Sequence, residues 1–177
     1  MKRYFCQRII CSQNETVLNT VLEIDDNGII SRLIPFKDLT VETSSTIALN
    51  GIIAPEIFSI ETRNERRPEN TKHTENFNYQ RLDTENDLQL SANNGKPLIL
   101  DCGSELVSTV NSILQKHKDI LSNIDLFEVI KAFTVYPAVA LNQENEIKQG
   151  NPIKLTLWPS PESLKQNKNT GIQFRII

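Results

Sequence analysis

Histidine and cysteine are scarce in this chain, and long apolar runs are missing from it. Only two histidines occur in 177 residues, His73 in a polar stretch and His117 on an apolar helical face, so one chain cannot supply a multi-histidine metal centre. Cys6, Cys11 and Cys102 are odd in number and widely scattered, with no C-x-x-C pair. That argues against a disulfide framework and against a cysteine zinc site, and leaves reduced, mostly buried thiols as the expectation. No stretch approaches membrane-spanning length, and the start at Met1 to Ile10 has some positive charge but no apolar leader, so we expect a cytoplasmic protein without membrane contact. An excess of positive charge is also lacking. The formal net charge is -3, the sequence pI is about 5.5, and no Lys/Arg stripe is present, which removes nucleic acid as a partner. No phosphate loop, dinucleotide fingerprint or calcium loop is found, and no internal repeat.

What is present is a composition of 38% apolar and 23% charged residues, enough for one globular core. Residues 1–60 read as strands and turns. Thr16-Val17-Leu18 and Val21-Leu22-Glu23-Ile24 are short β-rich runs, and Asp25-Asp26-Asn27-Gly28 is the clearest break, with Asn-Gly offering the positive φ values of a tight hairpin turn. Ile29 to Ile34 then resumes as a strand until Pro35 interrupts it. Over residues 61–96 the composition shifts to Glu, Asn, Arg, Thr and Asp, and the few apolar residues include Phe77 and Tyr79. Such a stretch buries little, which predicts a polar loop or disordered linker.

Residues 97–142 open on an apolar strand, Leu98-Ile99-Leu100-Asp101, after which Ser104 can cap a helix. Leu106, Val110, Ile113, Leu114, His117 and Leu121 follow at helical spacing and share one face. Asp125 and Glu128 form a capping-box pattern for a second helix, which carries Leu126, Val129, Ile130 and Phe133 and runs toward Pro137. Residues 143–177 hold two strands, Ile153 to Trp158 and Ile172 to Ile177. Terminal β segments around a helical middle complete one sheet or sandwich only if they pair with each other. The expected fold is therefore α+β: a β-sandwich or strongly bent sheet built from both chain ends, with two or three inserted helices.

Two groups of residues also carry a resemblance. Val21 to Ile30, followed by Leu49-Asn50-Gly51-Ile52-Ile53-Ala54-Pro55, is similar to the opening of amidohydrolase-superfamily enzymes of the cytosine-deaminase and chlorohydrolase-like branch. Leu126 to Ile130 and Thr134-Val135-Tyr136-Pro137-Ala138-Val139-Ala140-Leu141 resemble that family's last helices, with Tyr136 in place of the usual Asn. Glu146 to Gly150 and Ile153 to Leu157 resemble its return to a β-sandwich, without the usual Ala-Asp before the final strand. The resemblance implies a metal-binding His-x-His pair after Pro55. Here Glu56 and Ile57 replace Gly-Phe, and the aligned pair is Glu61-Thr62-Arg63. An arginine offers no lone pair, so Glu61 alone does not hold a metal. The family encloses most of a (β/α)₈ barrel of about 250 residues between these flanks. Here about thirty polar residues stand between them, so no complete TIM barrel is expected.

The remaining chemistry-bearing residues each have a plain reading beside the functional one. Asp101 lies two residues before the position of the family's catalytic Asp, as a candidate general base or as a solvated strand end. His117 with His73 and Glu61 would make an irregular zinc site, or His117 is a hydrogen-bonded core residue. Cys102-Gly103-Ser104 stands between a strand and a helix start, where thiols are activated and anions bind, but the motif lacks G-x-S-x-G and a nearby base. Helix capping by Ser104 and packing by Cys102 are favoured. The sequence reading is thus a non-catalytic amidohydrolase-like remnant with no cofactor and no metal, acting in assembly or partner binding. Loss of a barrel would expose Val110, Ile113 and Leu114, which predicts a homodimer or docking to another protein through the helical face. The other reading is a residual metal-dependent hydrolase acting on C–N bonds, or a small-molecule-binding protein, with Glu61, Asp101, His117 and His73 converging on one pocket.

Overall fold

The computed structural model describes residues 1–39, 45–58, 97–98, 106–121, 123–166 and 175–177. The fold is α+β, without a TIM barrel. Six strands, β1 (Lys2–Ile10), β2 (Thr16–Ile24), β3 (Ile30–Pro35), β4 (Thr46–Pro55), β5 (Leu155–Trp158) and β6 (Arg175–Ile176), form one mixed sheet in the order β3-β2-β1-β4-β5-β6. The pairings are antiparallel except for β1 with β4, which run parallel. Between β4 and β5 lie the helices α1 (Leu106–Lys116), α2 (Lys118–Leu121) and α3 (Leu126–Ala140), and α4 (Pro161–Gln166) follows β5. The two chain ends meet as expected, because Ile52, Ile53, Ala54 and Pro55 pair with Trp158, Leu157, Thr156 and Leu155.

The sheet is bent rather than doubled into two sheets. Cys6 and Ile9 point into the same apolar cluster although they are three residues apart, so the alternation of faces slips by one within β1. Beside this slip the β1–β4 register shifts between Cys6 and Arg8, Asn19 of β2 has φ 45°, and Gly51 of β4 has φ 152°. Irregularities aligned across three neighbouring strands let a sheet bend and twist more strongly than a regular ladder allows. The break at Asn19, between the two apolar runs of β2, is therefore this irregularity inside one continuous strand and not a turn.

Both faces of the bent sheet are apolar. On one, Ile10, Ile52, Ala54 and Trp158 pack with Leu106, Val110, Leu114, Val129, Ile130 and Phe133 of the helices. On the other, Cys6, Ile9, Leu22, Ile30, Leu49 and Ile53 are covered by Ile147 and Ile153 on the segment that leads into β5. That segment also bonds to the start of β3: Ile153 N donates to Gly28 O at 2.7 Å, Ile30 N to Asn151 O at 2.9 Å, and Gly150 N to Ile30 O at 2.8 Å. The sheet is thereby strapped from its β3 edge across to β5.

Several local expectations are corrected. The Asp25–Ile29 loop is wider than a two-residue hairpin, since only Gly28 takes a positive φ there, at 76°, while Asp25 Oδ1 accepts from both Asn27 N and Ile29 N. Asp25 substitutes its side chain for a tight turn. The stripe from Leu106 to Leu121 is one face as predicted but is divided at His117 into α1 and α2. Asp125 caps α3 through Phe127 N at 2.9 Å, but Glu128 does not complete a capping box and turns instead to Tyr136 and Lys131. The helix also continues past Pro137 to Ala140. Proline removes the N–H that would reach the carbonyl four residues back, Phe133 O. Here Phe58 N supplies that donor at 3.0 Å, so the carbonyl is satisfied from outside the helix.

Candidate functional site

Of the residues that sequence reasoning singled out, Glu61, Asp101, His73, Cys102 and Ser104 lie outside the described residues, and so do Phe77 and Tyr79. His117 is described and is 3% exposed. Its N–H donates to Ile113 O and its carbonyl accepts from Leu121 N, both at 3.0 Å, so its backbone links α1 to α2. Among the described residues no three His, Cys, Asp or Glu side chains are grouped so as to hold a metal ion. The stripe expected to need a partner is covered within the chain: Val110 and Leu114 are buried and Ile113 packs partly against the same core. The reason is that the sheet itself, through Ile52, Ala54 and Trp158, packs on that side of the helices.

The described thiols are structural. Cys6 Sγ lies 3.1 Å from Arg8 O and 3.2 Å from Gly51 O at the bend, and burial pushes its pKa up. Burial, with the nearby Glu15 charge, pushes the Cys11 thiol to about 12. Neither forms the thiolate a nucleophile needs near neutral pH. Glu23 is 4% exposed and is held by cross-strand arginines, with Arg3 Nε at 2.6 Å and the more exposed Arg32 Nε at 4.0 Å. The carboxylate is paired across strands on the sheet.

Among the described residues, several polar groups converge on α3. Its carbonyls Ala132, Phe133 and Thr134, the three just before the proline turn, accept from Leu98 N at 2.7 Å, Phe58 N at 3.0 Å and Asn145 Nδ2 at 2.8 Å. Asn145 Nδ2 also donates to Glu56 O at 2.8 Å, tying the end of β4 to the helix. Thr134 Oγ1 donates back to Ile130 O at 2.8 Å, a bond that commonly bends helices. One turn of helix thus receives three separate passages of the chain.

No family model and no curated protein matches the sequence.

The same helix bears the other polar constellation. The Tyr136 hydroxyl donates to the Glu128 carboxylate, which also faces Lys131 Nζ at 3.1 Å. Burial, then the Glu128 hydrogen bond and charge, push the Tyr136 phenol above its ordinary range, so it stays a neutral donor. Nearby, Arg8 lies over the Phe127 ring at 5.5 Å and 3.7 Å from Glu162, joining β1 to α3 and α4. These contacts orient the elements against one another. Sequence reasoning placed Thr134 to Leu141 in a motif but missed Phe58, Leu98 and Asn145 as its partners. The one local signal was Pro137 inside an otherwise helical pattern, which announces an unpaired carbonyl without naming its donor.

Proposed function

We propose that the chain is a non-catalytic remnant of an amidohydrolase-like architecture, serving assembly or partner binding. The observation that carries this reading is where Phe58 and Leu98 end up. In the resemblance, these residues flank the place where a barrel would be inserted. In this chain their amides dock on the neighbouring carbonyls of Phe133 and Ala132, so the chain leaves the sheet and returns to the same turn of α3. The flanks that resemble the family then share one core, in which Trp158 stacks on Phe133 with ring centroids 5.9 Å apart. A module that keeps its core while the metal motif reads Glu61-Thr62-Arg63 is suited to holding and docking rather than to hydrolysis.

The assembly role takes the form of a homodimer or of docking to another protein through the helical layer. With Val110 and Leu114 buried in the chain's own core, a partner meets the outer side of that layer, where Val139 is 52% exposed. Two measurements test the proposal on protein purified without chelator. Metal analysis should find no stoichiometric zinc or iron, and light scattering should give a mass above the 20.1 kDa of one chain. Stoichiometric metal that is lost in His117→Ala would instead establish the metal-dependent hydrolase reading. A strictly monomeric mass, with no partner recovered from lysate of the native cell, would remove the assembly role.

A further inference from the structure

Three consecutive carbonyls of one helical turn, Ala132, Phe133 and Thr134, are met by donors from three distant places: Leu98, Phe58 and Asn145. A helical carbonyl has a second lone pair and can take an outside donor beside its own helical bond, but the loss of the helical donor itself needs a cause. Pro137 is that cause for Phe133, because it lacks the N–H and its ring displaces the carbonyl four residues back. On the same helix Thr134 Oγ1 donates to Ile130 O, a back-bond of the kind that bends helices. Asn145 then spans from Thr134 O to Glu56 O, fixing the chain just ahead of Phe58.

We propose that the Ala132–Pro137 turn is a backbone socket, in which Pro137 leaves Phe133 O to an outside donor, that joins β4, the Leu98 passage and the segment after α3. In this device the proline does not end the helix but exports its hydrogen-bonding capacity to the rest of the fold. The socket is made wholly of residues present in the single chain, so it stands whether or not the protein assembles with a partner.

Amide hydrogen exchange on the full-length chain tests it. In the native protein the Phe58 and Leu98 amides should exchange within about tenfold of the amides of the α3 core, as hydrogen bonds that open only with the helix require. Pro137→Ala restores an N–H that competes for Phe133 O, and it should speed Phe58 exchange at least tenfold while the β1–β2 amides keep their rates. Unchanged Phe58 protection in Pro137→Ala would overturn the role given to the proline. As a second variant, Asn145→Ala should speed exchange at Phe58 without altering β1–β2, whereas Asn145→Asp, which lacks the Nδ2 donor, should behave like Ala. If Asn145→Asp retains native exchange at Phe58, the bridge is not part of the socket and the proposal fails.

Discussion

Cys11 is 2% exposed, and its thiol is held at about 12 in the folded chain against an ordinary value of 9.0. A group with a raised folded pKa is protonated in the native state where the unfolded chain has already released its proton. Its contribution is therefore complete below pH 9 and is lost as pH rises through 9 toward 12. Urea unfolding across that window should show stability falling with pH, and Cys11→Ala should flatten the slope. An equally steep fall in the variant would assign the loss to other groups. At this scale the sequence was informative about type and silent about partners. Three scattered cysteines without a pairing pattern announced buried thiols, and the two described ones are free and buried. Glu128 was assigned to a capping box because spacing alone cannot foresee Tyr136 two turns away, which offers the carboxylate a shorter-range competitor.

Among the elements, β4 and β5 approach each other most tightly at Gly51. A Cβ there would meet Trp158 O at 2.2 Å and Leu157 Cδ1 at 3.0 Å, and the backbone holds φ at 152°. Gly51→Ala should therefore destabilise the protein by about 3 kcal/mol or more, because it combines a backbone clash with a strained φ. Thermal unfolding checks it, and a loss below about 1 kcal/mol would mean that the two strands separate easily at this point. Strands and helices were legible from short-range pattern: short β-rich runs gave β2 and β5, and the 3.6-residue stripe gave α1. What was not legible arose where distant chain completes a local defect. Pro137 normally kinks or ends a helix, and in α3, which continues to Ala140, Phe58 N takes the carbonyl that the proline leaves without its helical donor. Helix α4 was overlooked although Ser160-Pro161 is a start signal, with Ser160 Oγ accepting from Ser163 N at 3.1 Å.

The described residues pack as two apolar clusters on opposite faces of one sheet, and both use β1, β4 and β5: Ile10, Ile52 and Trp158 on one side, Ile9, Ile53 and Leu157 on the other. Neither cluster can be lost while the other keeps intact strands. The sequence has a single tryptophan, and it lies in the helix-covered cluster. Fluorescence of Trp158 and far-ultraviolet circular dichroism should then follow one common denaturation curve. Separated midpoints would show that the two layers unfold independently. At this scale the α+β class and the meeting of the chain ends followed from the order of strands, helices and strands. The bend did not, because it depends on Asn19, Gly51 and the Cys6–Arg8 shift falling side by side once the strands have paired. The candidate site was legible only as the motif around Pro137, since its donors sit at least eleven residues away along the chain.

The pairing of β4 with β5 also sets an order of events on the ribosome. Thr156 Oγ1 reaches Pro55 O across 101 residues of sequence. At roughly 5–20 residues per second, about 100 residues take on the order of 5–20 s to be synthesised after β4 has emerged. Through that interval β1 to β4 can pair, but the Ile52–Pro55 edge has no neighbour and presents bare N–H and C=O groups beside apolar side chains. The nascent chain thus carries this bare apolar edge until β5 has been made.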